Sequence, residues 1–251
     1  MRRHPEPQIV LDRVEAPHTL GQETEFVVDV VVVGSGAGGA TVAAQLAEQG
    51  FRTMMLEEGK FHTTSENTGD IISMMGQLMR DGGTTAILGK SPINYMEGRC
   101  LGGTTVLNGG MCWRTPEEVL HEWRTERGLN GLTESVMDEI FTEVEETIDA
   151  RYQDPGSEGG ANQAFKRGAD RLGWNLSMNK RNQEHCVGSN DCVTGCPSGA
   201  KRSTIFTWLP RYLKAGGRIL TGMKVERILH KNGKACGVSG TIQNPYREKK
   251  F

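Results

Sequence analysis

Residues 29–39 read DVVVVGSGAGG, and no other stretch constrains the fold of this chain as much. Val30, Val31, Val32 and Val33 are β-branched and fit a strand buried on both faces. The run stops at Gly34, Gly36 and Gly39, spaced G-x-G-x-x-G, and a helical pattern follows. In such a turn the first glycine permits the tight bend. The second lets the backbone approach a pyrophosphate, and the third lets the helix pack close to the strand. Gly38 opens that helix, whose first amides and dipole favour an anion. The stretch predicts a strand–turn–helix unit that holds a dinucleotide.

The following residues extend this unit. A helix is predicted over 38–49, with Val42, Leu46, Ala43, Ala44 and Ala47 facing a sheet and Gly50 closing the last turn. A second strand spans 52–56 and ends at Glu57, about 20 residues on from the turn, where a carboxylate accepts hydrogen bonds from ribose hydroxyls and repels a 2′-phosphate. Glu58 competes for that role, but its side chain points to the opposite face of the strand. Met74, Met75 and Met79 recur at helical spacing, which reads as core packing rather than a substrate surface, and Asp81-Gly82-Gly83 reads as a turn. A second glycine-rich stretch, residues 98–114, holds Gly102, Gly103, Thr104 and Thr105. Its bare amides and hydroxyls suit a phosphate or a flavin edge, and Asn108 adds an amide that both donates and accepts.

Beyond it, Thr115-Pro116-Glu117-Glu118 predicts a capping box with Thr115 as N-cap, and a helix to about Arg127. A further helix is predicted over 133–148, with Val136, Ile140, Val144 and Ile148 on one face. Residues 154–160 read as a flexible link. A helix is predicted over 201–213, with Ile205, Trp208, Leu209 and Tyr212 inward. Strands are predicted over 218–220 and 224–230, then a hairpin turn at Lys231-Asn232-Gly233-Lys234 into a strand over 235–238. Residues 241–251 are polar and basic and show no strand pattern.

Composition narrows the class. A chain of 251 residues suits one large domain or two small ones. A formal net charge of −2 gives no reason to expect nucleic acid or an anionic membrane surface. No window is long and apolar enough to span a bilayer, and the first residues, MRRHPEPQIV, lack the apolar core of a secretory signal, so a cytoplasmic location is expected. Residues 1–26, with Pro5, Pro7 and Pro17, read as an arm with a short edge strand over 8–14. The six cysteines then read as reduced thiols or a metal site rather than disulfides.

Residues 34–39, 56–59 and 98–114 together resemble the N-terminal, FAD-binding part of the glucose–methanol–choline oxidoreductases, over about residues 28–240. GRCLGGTTVLNGG is similar to that family's first signature, which lies along FAD. The resemblance implies an α/β fold, a Rossmann-like parallel sheet with helices and a β-meander, with an inserted helical part at about 115–215. By position it assigns Gly34, Gly36, Ala37, Gly38 and Gly39 to the pyrophosphate and Glu57 to the adenosine ribose. Arg99, Gly102, Gly103, Thr104 and Asn108 fall near the pyrophosphate and isoalloxazine, and Val225 at the adenine. The implied cofactor is FAD, and the implied reaction is oxidation of an alcohol or sugar CH–OH by hydride transfer to the flavin.

Within the family, HCVGSNDCVTGCPSGAKRST is similar to a run in long-chain alcohol oxidases and FAD-dependent sugar dehydrogenases. Cys186, Cys192 and Cys196 could ligate iron or zinc, with His185 as a fourth ligand. The dehydrogenases' cluster uses a further cysteine directly after the first, where Val187 stands here, and the alternative is structural thiols. Cys100, Cys112 and Cys236 read as core cysteines.

The family's catalytic base, a His paired with a second His or Asn, falls in a later half of the chain. His4, His18, His62, His121, His185 and His230 match no such motif, so no catalytic residue is assigned. Three readings stay open: the FAD-binding portion of a longer oxidoreductase, inactive alone and truncated near residue 241; a flavin-binding module complemented by a separate C-terminal chain; or an NAD-binding dehydrogenase domain. The substrate class is a small-molecule alcohol or sugar, and the electron acceptor is unassigned.

Overall fold

The computed structural model describes residues 4–17, 25–153, 157–243 and 249–250. Parts of the arm (1–3 and 18–24), of the link (154–156) and of the tail (244–248 and 251) lie outside the described residues. The helices are α1 (Gln8–Arg13), α2 (Ala37–Glu48), α3 (Ile71–Leu78), α4 (Glu117–Glu126), α5 (Glu134–Thr147), α6 (Gly160–Leu172) and α7 (Trp208–Lys214). The strands are β1 (Val14–Glu15), β2 (Val30–Val33), β3 (Thr53–Glu57), β4 (Thr85–Ile87), β5 (Ile93–Tyr95), β6 (Met111–Cys112), β7 (Ala150–Tyr152), β8 (Lys180–Asn182), β9 (Arg218–Thr221), β10 (Met223–Lys231), β11 (Lys234–Ile242) and β12 (Lys249–Lys250). The chain divides into two compact units. One comprises Arg3–Gly109, Ser189–Gly199 and Ser203–Phe251, and the other Met1–Arg2, Gly110–Gly188 and Ala200–Arg202.

The first unit is built on a parallel four-stranded sheet of order β1-β9-β3-β2. β3 lies inside the sheet, and all five of its residues are buried. β2 lies at the edge, so it is not buried on both faces as its valines suggest. Val32 is buried, but Val33 is 53% exposed. Just before β2, Asp29 takes Arg52 in a two-pronged ion pair that registers β2 against the start of β3. In α2 the buried residues are Ala40, Ala43, Ala44 and Ala47, and Val42 points outward at 52% exposure. These four small residues, at i, i+3, i+4 and i+7, form a flat stripe that lets the helix approach closely, and Val42 lies off that stripe. Gly50 ends the helix with φ 91°, its amide bonded to the Ala47 carbonyl.

The arm departs from expectation. Residues 8–13 are the helix α1 instead of an edge strand, begun at Pro7, whose carbonyl accepts from the Val10 and Leu11 amides. Val10 is fully buried, and only Val14 and Glu15 pair with a neighbour, β9. Arg218 grips the Glu15 carboxylate with two nitrogens at 2.8 Å each, and Arg13 donates to the Leu213 carbonyl. The segment behaves as part of the core rather than as an appendage.

Met74 and Met79 are buried with Leu78, Cys100 and Leu107, and Met75 packs against them, the core role expected of the methionines. The turn at Asp81 and Gly82 takes positive φ at both residues. Toward the C-terminus, the helix expected over 201–213 forms only at Trp208–Lys214. Before it, residues 203–207 make hydrogen-bonded turns, among them Phe206 to Ser203 and Thr207 to Thr204. Ile205, Trp208, Leu209 and Tyr212 are all buried, as expected. β10 and β11 form a long hairpin, with Asn232 and Gly233 at positive φ as a two-residue turn requires. β11 runs on through Thr241 and Ile242, and β12 pairs with those two residues, so strand structure continues past residue 240. Cys236 is exposed on this hairpin and is not a core cysteine.

The second unit holds a three-stranded sheet, order β6-β8-β7, with α4, α5 and α6. α4 begins one residue later than the capping box implies. Pro116 is its N-cap, with ψ 147°, and no side chain caps it. α5 is capped by Thr133, whose Oγ1 accepts from the Val136 amide at 3.4 Å. Of its expected apolar face, Val136 and Ile140 are 41% and 44% exposed. α6 was not foreseen. Its apolar residues, Ala161, Phe165, Ala169 and Leu172, fall at helical spacing among many polar ones, and Gly173 ends it with φ 66°. Arg114, Lys180 and Glu145 join α5 to the sheet. Arg114 reaches both Glu145 oxygens at 3.0 Å, and Lys180 reaches one at 2.9 Å. These bonds hold the Glu145 carboxyl at about 2, against an ordinary 4.5, Arg114 contributing most.

Candidate functional site

The site assembles at the carboxyl ends of β2 and β3. The Gly34 amide donates to the Leu56 carbonyl at 2.8 Å, carrying the β2–β3 pairing into the turn. A Cβ at Gly39 would stand 2.0 Å from the Gly34 carbonyl oxygen, so only glycine lets α2 start this close to the strand. Among the described residues, no atom lies within 4 Å of where a Cβ would stand on Gly34, Gly36 or Gly38. The turn is jammed on its inner side and open on its outer side. Gly36, the N-cap, offers no side chain to the first helical amides, which leaves them for an outside acceptor.

The second loop lies directly on the first. Gly102, at φ 89°, begins a short 3-10 turn over Gly103–Val106. A Cβ on Gly103 would sit 3.1 Å from the Gly36 Cα, which measures how near the two backbones come. Gly59, two residues after Glu57, packs just as tightly, since a Cβ there would meet the Arg99 carbonyl and the Cys100 nitrogen at 2.3 Å.

Ser35 fastens the parts together. Its hydroxyl donates to Glu57 Oε2 at 2.6 Å and accepts from the Gly102 amide at 2.8 Å. Its own amide donates to the same Oε2 at 2.9 Å. Glu57 Oε1 accepts from the Gly59 amide at 2.8 Å. Thr204 Oγ1 donates to the Ser35 carbonyl at 3.1 Å, and Thr105 Oγ1 donates to the Gly102 carbonyl at 2.6 Å and accepts from the Thr204 amide at 3.2 Å. Ser35 and Glu57 are both buried. Sequence reading passed over Ser35, an unspecified position inside the glycine motif. It also gave no role to Thr204, which lies 169 positions from Ser35 and closes the run that begins at His185.

The candidates from sequence fall into four groups. Gly34, Gly36, Ala37, Gly38, Gly39, Glu57, Gly102 and Gly103 lie in this one cluster of turns. Thr104 and Asn108 continue the second loop: Thr104 Oγ1 accepts from the Gly98 amide at 3.0 Å, and the Asn108 amide donates to the Thr104 carbonyl at 3.1 Å. Arg99 stands near Glu58, whose carboxyl burial pushes up but Arg80 and Arg99 draw down on balance. Glu58, one residue beyond β3, takes Arg80 through two bonds, at 3.2 and 2.9 Å, whereas Glu57 takes Ser35. Val225 packs against Met54, Leu56, Leu220 and Met223, beside the end of β3.

The cysteine run shows other chemistry. Cys186 Sγ accepts from the Gly188 amide at 3.4 Å, and Cys196 Sγ lies 3.3 Å from Ser198 Oγ. Among the described residues no three His, Cys, Asp or Glu side chains are grouped to hold a metal ion. His121 is exposed on α4, and His230 pairs with Ala235 in the hairpin.

A family model described as GMC oxidoreductase matches residues 75–250, and one described as FAD binding domain matches residues 29–84. The chain belongs to the GMC oxidoreductases. It is 35% identical to a GMC-type oxidoreductase of Sinorhizobium fredii, y4nJ, over 90% of this chain and 45% of that protein. It is 36% identical to a long-chain-alcohol oxidase of Arabidopsis thaliana, over 80% of this chain and 27% of that protein. The GMC chain thus spans less than half the length of these curated relatives. Its fold matches the crystal structure of pyridoxine 4-oxidase from Mesorbium loti with a TM-score of 0.61, at 16% identity, over 89% of this chain and 47% of that one. The fold is α/β and FAD-binding, and the cofactor of this GMC domain is FAD. The open outer face of the glycine turn and the uncapped start of α2 fit the phosphates of that cofactor. No helix among the described residues is long and apolar enough to cross a membrane.

Proposed function

We propose that these residues form the FAD-binding portion of an oxidoreductase that oxidises the CH–OH group of an alcohol. Bound FAD supplies the hydride acceptor. The carrying observation is the Ser35 hydroxyl, bonded at once to Glu57 and to the Gly102 amide, which makes one site of the dinucleotide turn and the second glycine loop. A nicotinamide fold has no need of that second wall. In this reading Gly34, Gly36, Ala37, Gly38 and Gly39 line the pyrophosphate, and Glu57 takes the adenosine ribose. Arg99, Gly102, Gly103, Thr104 and Asn108 flank the pyrophosphate and isoalloxazine, and Val225 meets the adenine edge. The long-chain-alcohol oxidase among the relatives supports an alcohol as the hydride donor, with a sugar as the wider class.

The proton of the substrate hydroxyl needs a base, and no histidine of this sequence is assigned to it. The base is proposed to lie in further residues, so the 251-residue chain binds FAD without turnover. The edge position of β2, with Val33 53% exposed, favours a further strand pairing there, whether from the same polypeptide or a second one. The test is dye reduction in the presence of primary alcohols of increasing chain length and of sugars. The 251-residue protein is expected to give no substrate-dependent rate, and to gain one when a GMC C-terminal half is co-expressed. A substrate-dependent rate from this protein alone would contradict the assignment of the base.

A further inference from the structure

The hydrogen bonds around Glu57 limit what that carboxylate can still do. An ionised carboxylate offers about four lone-pair sites. Ser35 fills both of those on Oε2, one with its amide at 2.9 Å and one with its hydroxyl at 2.6 Å. Gly59 fills one on Oε1 at 2.8 Å. The Ser35 hydroxyl has one proton. It accepts from the Gly102 amide at 2.8 Å, so its proton is directed to Glu57 and not elsewhere. Glu57 is buried at the end of β3, and two of its three bonds come from backbone amides, those of Ser35 and Gly59. The arrangement leaves Oε1 with about one open site.

We infer that Ser35 is a positioning residue that restricts Glu57 to a single hydrogen bond, through Oε1, with one hydroxyl of the adenosine ribose. A two-hydroxyl clamp would need Oε2, which Ser35 occupies. The consequence is selective. The site discriminates against loss of one ribose hydroxyl and tolerates loss of the other. The inference rests on the proposed contact between Glu57 and the ribose.

Flavin-stripped protein is titrated with FAD and with its adenosine 2′-deoxy and 3′-deoxy analogues, following flavin fluorescence. One analogue is expected to bind about tenfold more weakly than FAD, the effect of one lost hydrogen bond to a charged acceptor, and the other within about twofold. Equal losses for both analogues would overturn the inference, because they mean a clamp. Equal affinity for all three would overturn the ribose contact and the inference with it, while leaving FAD binding intact. No binding of FAD itself would overturn the cofactor reading as well. Ser35→Ala frees one lone pair of Oε2 and strips the Gly102 amide of its acceptor. It is expected to bring the two analogues within about threefold of each other, whereas a purely structural role for Ser35 would weaken all three ligands alike and preserve the tenfold ratio. The wild-type titrations decide the question even where that variant does not fold.

Discussion

At the scale of single residues, the site depends on atoms that must be absent as much as on atoms that are present. Gly39 is the sharpest case. Its missing Cβ leaves room for the Gly34 carbonyl, 2.0 Å from where that carbon would be. Gly39→Ala forces the strand and helix apart, so it is expected to destabilise the fold by about 1–3 kcal/mol and to abolish FAD uptake. Thermal melts and the ratio of flavin to protein absorbance check both effects. Gly38→Ala, into open space at a helical position, is expected to leave the melting temperature within a few degrees. Glu57 depends on charge. Glu57→Gln keeps its shape but puts an amide –NH₂ where the carboxylate accepts amide and hydroxyl protons from Ser35 and Gly59. It is expected to weaken FAD binding about tenfold or more, measured by titration of stripped protein. Unchanged affinity would remove Glu57 from the site.

At the scale of elements, α1 and β1 anchor the far edge of the sheet. Val10 is fully buried, and the Glu15–Arg218 pair ties β1 to β9. Val10→Ala is expected to cost about 1–3 kcal/mol in denaturant unfolding, the range for removing buried methyls and leaving a cavity. In the other unit, Arg114 and Lys180 hold the Glu145 carboxyl at about 2. A carboxyl depressed in the folded state contributes stability above its ordinary value of 4.5 and loses that contribution as pH falls toward 2. Glu145→Gln is therefore expected to flatten the fall in stability between those pH values, read from melts across an acid series. An unchanged acid profile would show that the pair adds nothing to this unit.

These elements also show where the sequence was readable. The strand β3 and the helix α2 were legible because local signals agree: a β-branched or apolar run, a turn of glycines, and a C-terminal glycine. What failed was local pattern read without its neighbours. The four valines of β2 suggest burial on two faces, but strand order places β2 at an edge, and order is not encoded in a four-residue run. Residues 8–13 alternate weakly enough to read as a strand, yet the Pro7 carbonyl starts a helix. The Lys224–His230 run is a strand as expected. Its partner continues to Ile242 because pairing with β10 decides where β11 ends, not its own polarity.

At the scale of the whole molecule, the proposed cofactor site joins residues from three distant stretches of one unit. Two of them, around Gly34 and Gly102, announce themselves by glycine. The third, Thr204, closes the cysteine run, but its role was not readable there, since a hydroxyl bonded to the Ser35 carbonyl is visible only once the chain has folded. The two glycine loops of the proposed FAD site were therefore legible in the sequence, while the bonds that join them were not. The central claim is that this single chain holds FAD between the two glycine loops. Its most direct measurement is chromatographic and mass-spectrometric identification of the cofactor released by heat from the purified 251-residue protein. The account predicts FAD, in proportion to protein. Release of NAD in its place, or of no nucleotide after incubation with excess FAD, would contradict it.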